Sequence, residues 1–403
     1  MIAAAATLFA ACAETDTFKE SIDDNETVLI GFETFHEKAT RATATGEISL
    51  PEHFTKAHGG FGVWGYKGTP ANIVAASGTP AATVDISSTT NFATVFNNVQ
   101  VWYESASEPS QGFKYAVPKY WDKNMEYIFF AYAPYDATKA TLNRSTGNIT
   151  IADIASIQDI SANNSETGEA LVYSGTTTTS VTDYLMASYE YDKKLNTTNQ
   201  SNKDYPLKGQ TVGFTFGHML SKLQINLQAN EAYSGIASLK VTNLSIENMP
   251  SSASTKASFT QTSPAAPAGV YTPSNYTSSL SIIGASGTST SDLYILKNGS
   301  MSGETVTAPT AQNQSFNYYV APNVPTGAGT DKYLLNISYT ITYTDGVTDD
   351  VVIEDVDLSS KLASLLQNNS YTLTIKVALN QIYFTVDEVS GWTTQTGQNI
   401  EVQ

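Results

Sequence analysis

The side chains best suited to move protons near neutral pH are four histidines, His36, His53, His58 and His218, scattered along a chain of 403 residues. His36-Glu37-Lys38-Ala39-Thr40 opens like a zinc-protease helix, but no second His stands four residues after the first, so two imidazoles cannot meet one metal there. His218 shares a strand face with Phe214 and Phe216, which suits a satisfied core histidine. Asp349, Asp350, Glu354, Asp355 and Asp357 lie on and just after one predicted hairpin strand. A glycosidase needs two carboxyls facing each other across a cleft, whereas charges along an edge strand discourage sheet-to-sheet pairing. Neither Gly-x-Ser-x-Gly nor a phosphate-cradling Gly-Lys-Ser/Thr loop occurs. Tyr120-Trp121 and the run from Tyr127 to Tyr132 could stack on sugars, but their alternation turns many of them inward. These residues predict no catalytic group, no metal and no cofactor.

Two other residues stand out for chemistry done to them. Cys12 is the single cysteine, so no intrachain disulfide and no thiolate zinc site can form. It follows Ile2 to Ala11, an apolar run about half as long as a membrane span. Ala10 and Ala11 then precede Cys12 as small residues precede the lipidated Cys of a bacterial lipoprotein signal. Phe9 stands where Leu is usual, and no Lys or Arg comes before the apolar core. Among 21 basic residues only Arg41 and Arg144 are arginine, and Arg41 sits in a polar stretch after the first predicted strand. An Arg-specific protease has one evident target.

The elements around these residues are strands. Hydrophobic residues make up 41% and charged residues 15%, a composition that folds rather than staying disordered. With 38 acidic against 21 basic residues the formal charge is −17, which repels nucleic acid and anionic lipid surfaces. Val28, Ile30 and Phe32 share one strand face. Phe61 to Tyr66, Val95 to Tyr103 and Tyr127 to Tyr132 read as further strands, the last apolar on both faces and therefore central. Val212, Phe214 and Phe216 have opposite parity to Leu223, Ile225 and Leu227, which requires a break between them. Leu335, Ile337, Tyr339, Ile341 and Tyr343 alternate up to Asp345-Gly346, the residues of a type I′ hairpin turn, before Val347 to Ile353 returns. Leu358, Leu362, Leu365 and Leu366 recur at helical spacing and predict a short helix over 358–367. The polar stretch from Tyr191 to Gln210 reads as a linker, with a domain boundary near residue 206.

Several landmarks follow one another along the chain: Cys12, Lys38-Ala39-Thr40-Arg41-Ala42, Phe61-Gly62-Val63-Trp64-Gly65-Tyr66, Tyr120-Trp121, Phe129-Phe130-Ala131-Tyr132-Ala133-Pro134, Phe216-Gly217-His218, and Ile382 to Gly391-Trp392. In that order they resemble the fimbrillin family, the subunits of type V pili on certain anaerobic Gram-negative bacteria. The resemblance implies an all-β chain of two transthyretin-like antiparallel β-sandwich domains with few short helices. It implies a signal peptide over 1–11, a propeptide over 12–41 lipidated (palmitate) on Cys12 and carrying a removable strand, an N-terminal domain over 42–205 and a C-terminal domain over 206–403. It further implies anchoring in the outer membrane before cleavage, cutting between Arg41 and Ala42 by an Arg-specific protease, and self-polymerisation with other pilus subunits into a fimbrium at the cell surface.

The residues supply a physical reason for cleavage to switch on assembly. Removing everything before Ala42 takes Val28, Ile30 and Phe32 out of the sheet they complete, and each such side chain is worth about 1.5–3 kcal/mol when buried. An open groove with unpaired edges remains. The expected replacement is the C-terminal tail, about 382–403, in which Ile382, Phe384 and Val386 share a face and Ile400 and Val402 share another. The leading expectation is therefore a structural shaft subunit. The alternative is a pilus-tip adhesin or surface lipoprotein that presents a site to host glycan or protein. A secreted hydrolase lacks any recognisable nucleophile, metal cluster or cleft-forming carboxylate pair.

Overall fold

A computed structural model describes residues 28–36, 54–57, 59–69, 84–104, 112–122, 124–160, 172–173, 181–191, 211–250, 256–263, 268–272, 278–284, 293–302, 305–323, 332–390 and 400–401. Cys12, Arg41, Ala42, His53, His58 and Val402 lie outside these residues, together with the apolar run over 1–11 and the tail over 391–399. The described residues form strands and turns without an α-helix, as the two-residue alternation of apolar and polar side chains requires.

The first large sheet runs, edge to edge, through Phe32–His36, Val212–His218, Leu185–Ala187, Glu126–Ala133, Phe61–Gly68, Phe92–Glu104 and Gly112–Lys114. Glu126–Ala133 is its central strand and is buried on both faces from Tyr127 onward. Phe129 and Ala131 point into one core with Ile30, Phe32, Phe61, Val63, Phe96 and Phe214. Ile128, Phe130 and Tyr132 point into a second, with Trp64, Ile149, Ile151, Phe259 and Tyr271. Gly65 lets the rings press on the backbone, since a Cβ there would stand 2.8 Å from Phe96 and 2.9 Å from Phe129. The second core is closed by a four-stranded sheet of Gly269–Thr272, Lys256–Gln261, Asn148–Ala155 and Ala140–Asn143.

Two more sheets make a sandwich. One is ordered Ile400–Glu401, Ile382–Ser390, Asn369–Val377, Ser221–Ala229, Gln314–Val320 and Ile157–Asp159. The other is ordered Thr310–Ala311, Leu293–Lys297, Ile236–Met249, Leu334–Tyr343 and Thr348–Asp357. Leu223, Ile225, Leu373, Ile375 and Phe384 from the first meet Leu239, Val241, Ile337, Tyr339 and Ile341 from the second in one core.

Several expectations change. The leucines over 358–367 make one turn, closed by Leu362 N donating to Leu358 O at 2.7 Å, and not a helix. Leu365 exchanges two 2.8 Å backbone bonds with Asn323, which takes the groups a helix would need. The hairpin of Leu334–Tyr343 and Thr348–Asp357 forms, but Asp345-Gly346 is not a type I′ turn. Gly346 has φ of 89° while Asp345 does not have positive φ, and Tyr343 N donates to Val347 O at 2.8 Å, the geometry of a three-residue loop with a glycine bulge. Two of the sheets are mixed and not purely antiparallel, because Phe32–His36 runs parallel to Val212–His218 and Ser221–Ala229 runs parallel to Asn369–Val377. Pairing also crosses residue 206 in both directions. Val212–His218 and the hairpin 256–272 join the first half's strands, and Ile157–Asp159 joins the second half's sheet.

The strand Ile382–Ser390 is integral to its sheet, paired with Asn369–Val377 over nine residue positions, with Ile382 and Phe384 each 1% exposed. Phe384→Ala should destabilise the chain by about 3–5 kcal/mol in urea unfolding; a loss below about 1 kcal/mol would place the ring outside the core.

Candidate functional site: the seat of the N-terminal strand

Residues 28–36 lie between Val212–His218 of the first sheet and the stretch 119–121 that follows its far edge strand. On one side, Ile30 N donates to Lys119 O and Trp121 N to Val28 O, both at 2.9 Å, around the Leu29–Tyr120 bridge. On the other side, Val212 N donates to Gly31 O at 2.9 Å and the parallel ladder runs from Phe32 opposite Val212 to His36 opposite Phe216. The segment changes partner at Gly31 and closes the sheet like the last stave of a barrel.

The inward side chains explain why it stays. Ile30 is fully buried, Phe32 is 4% exposed, and Val28 packs half-buried against the same core. Phe32 is ringed by five aromatics: Phe96 at 5.3 Å, Tyr115 at 5.7 Å, Phe129 and Phe214 at 6.0 Å, and Phe61 at 6.3 Å between centroids. Phe214 is stacked on it and the other four meet it edge to face, the favourable arrangements for aromatic rings. Burying Ile30 and Phe32 contributes about 3–6 kcal/mol. Tyr115 Oη donates to Ile30 O at 2.8 Å and accepts from Lys119 N at 3.3 Å, which ties the segment to the sheet edge. Burial pushes the Tyr115 phenol above its ordinary pKa, the bond from Lys119 opposing it, so the hydroxyl remains a donor.

The C-terminal residues of interest lie elsewhere. Ile382, Phe384 and Val386 fill their own sandwich core, whereas Ile400–Glu401 pairs, among the described residues, with Tyr383 opposite Glu401 and Phe384 opposite Ile400. Arg144 is withdrawn: Nε and Nη2 donate to Ile86 O at 3.1 and 2.7 Å, and the guanidinium lies 4.8 Å from the Tyr66 ring centre. His218 is fully buried, with Nδ1 2.8 Å from Oδ2 of the equally buried Asp183, and its backbone N donates to Asn368 Oδ1 at 3.0 Å. This pair pins the place where the chain leaves one sheet for another. The carboxylates of 349–357 line the exposed edge strand Thr348–Asp357. There Lys332 and Ser359 hold the Asp357 carboxyl down to about 2. No group of three or more His, Cys, Asp or Glu able to hold a metal occurs among the described residues.

Sequence reasoning placed Val28, Ile30 and Phe32 on one face but missed Tyr115 and Asp183. Phe113 and Tyr115 share strand parity, which could have flagged Tyr115; nothing near Asp183 signals its partner 35 residues away.

The profile of the fimbrillin-like family matches residues 40–392. A fimbrial protein from Bacteroides vulgatus superposes with a TM-score of 0.52 at 16% identity, covering 91% of this chain and 100% of that one. A protein assigned to cell adhesion from Bacteroides uniformis gives 0.39 at 13% identity, covering 92% and 100%. The tip fimbrial protein Mfa3 from Porphyromonas gingivalis gives 0.30 at 10% identity, covering 83% and 96%. No curated protein matches the chain.

Tyr115→Phe removes one buried bond to the segment and should lower stability by about 0.5–1.5 kcal/mol in denaturant titration. An unchanged midpoint would show that the Ile30 carbonyl does not depend on that hydroxyl.

Proposed function

Because the chain belongs to the fimbrillin-like family, we propose that it is a structural pilus subunit, exported as a lipoprotein through Cys12, cut between Arg41 and Ala42, and polymerised by strand exchange. The observation that carries this reading is the seat of residues 28–36. They fill a core and pair with a backbone neighbour on each side, yet Arg41 follows His36 by only five positions.

After the cut the segment is held only by non-covalent contacts. An incoming strand must therefore displace it, gaining the same backbone bonds and apolar burial. We assign the donor role to the C-terminal tail, and within it to the part after Ser390. Ile382, Phe384 and Val386 anchor the tail to its own subunit, since freeing them would open a second core. Ile400 and Val402 are the residues that travel. The thirteen residues from 391 to 403 reach roughly 43–47 Å when extended.

The second arginine supports a single cut. A protease must bind its target extended with the Arg side chain free, and Arg144 instead sits in the 143–148 turn with its carbonyl accepting from Ile86 N at 2.7 Å. A second reading, a pilus-tip adhesin or surface lipoprotein, is favoured by a hairpin of Ser300–Ser302 and Thr305–Thr307 that is exposed throughout and carries Met301 and Val306 outward. A subunit whose whole tail stays on its own sheet would end a fibre.

The test is digestion with an Arg-specific protease, followed by N-terminal sequencing and electron microscopy. A new N-terminus at Ala42, an intact bond after Arg144 and a ladder of oligomers are expected. Arg41→Ala should abolish all oligomers, and a chain ending at Ser390 should be cut but not polymerise. Clean cutting of the native chain without oligomers would transfer the assignment to the adhesin.

A further inference from the structure

Five strands or their flanks each contribute one ring to the cage around Phe32: Phe61, Phe96, Tyr115, Phe129 and Phe214. A cavity bounded by rings on five sides is filled well only by another flat side chain. The strands that supply them are paired into one sheet and cannot collapse inward without breaking the ladder, so an undersized occupant leaves a void. The ring enters from a fixed register, Phe32 opposite Val212, with the smaller Ile30 site two residues earlier under the Tyr115 hydroxyl.

We propose, on the strand-exchange reading above, that this cage is the specificity pocket of the vacated groove. The strand it takes comes from a different pilus subunit, runs parallel to Val212–His218, and carries an aromatic side chain opposite Val212 two residues after a branched aliphatic one. The chain's own sequence points to a different subunit as the source. A ring two residues after a branched aliphatic recurs at Ile128-Phe129-Phe130, in a strand buried on both faces, at Val212-Gly213-Phe214 and Ile337-Ser338-Tyr339, in strands paired on both sides, and at Ile382-Tyr383-Phe384, locked in a nine-position ladder in its own core. The end of the tail, Ile400-Glu401-Val402, repeats the spacing but presents Val where the cage holds Phe. A second copy can therefore enter the groove but underfills it.

The experiment uses the full chain cut after Arg41 and labelled peptides that compete for the groove, read by fluorescence anisotropy. The peptide of residues 28–36 should bind, its Phe32→Val form at least about tenfold more weakly, which is about 1.4 kcal/mol. The peptide of residues 396–403 should bind more weakly than 28–36, and its Val402→Phe form should recover about tenfold or more. Equal binding of the Phe32→Val peptide overturns the pocket, because it shows that the cage does not select rings. Wild-type 396–403 binding as tightly as 28–36 also overturns the proposal, and makes a second copy the partner while leaving strand exchange intact. If the 28–36 peptide itself does not bind to the cut chain, the groove reading fails and the pocket fails with it.

Discussion

One nine-residue segment joins an edge of the first sheet to the stretch of chain that follows its other edge strand, Gly112–Lys114. Lys119–Trp121, beyond the edge strand Gly112–Lys114, and Val212–His218 each present backbone groups to residues 28–36, which satisfy the first with their opening half and the second with their closing half. The exchange of partners at Gly31 is possible because the sheet curls around its own inner face, where Phe61, Phe96, Phe129 and Phe214 meet. Curl, aromatic core and closing segment depend on one another: without the segment the inner rings would face solvent along a slot, and without the curl its two flanks could not be reached by one strand.

Much of this was legible in the residues. Strict alternation identified the hairpin after Leu334 and the tail strand at Ile382, and the unbroken apolar run from Tyr127 identified a strand buried on both faces. The parity change between Phe216 and Leu223 marked the passage from one sheet to another, which the structure places at His218 to Ser221. Local patterns failed where a distant backbone decided the outcome. Leu358, Leu362 and Leu365 are buried at helical spacing, but Asn323 claims the backbone of Leu365, and a sequence window cannot see that. Parallel pairing left no mark in composition, because both faces of strand 221–229 read the same whichever way its neighbour runs.

The polar stretch from Tyr191 to Gln210 looks like a linker. Phe259 and Tyr271, far downstream of it, pack with Trp64 and Tyr132, with Tyr271 Oη 2.9 Å from Ser156 Oγ and Thr150 Oγ1 3.0 Å from Thr260 Oγ1. Gln261 strengthens the seam by donating to Ala187 O at 3.1 Å. The two halves are thus stitched by an arm of one lying in the core of the other, and neither half has a complete set of buried partners alone.

The passage through His218 has a mechanical meaning. Residues 212–229 are one uninterrupted length of chain that forms the wall of the stave's seat in one sheet and the neighbour of Asn369–Val377 in another. A pull applied at the seat is carried along covalent bonds into the second sheet and leaves through the ladder that grips Ile382–Ser390. Force directed along those strands loads their hydrogen bonds in shear, all together, instead of peeling them one at a time. The buried Asp183 contact and the Asn368 bond brace the bend in that path.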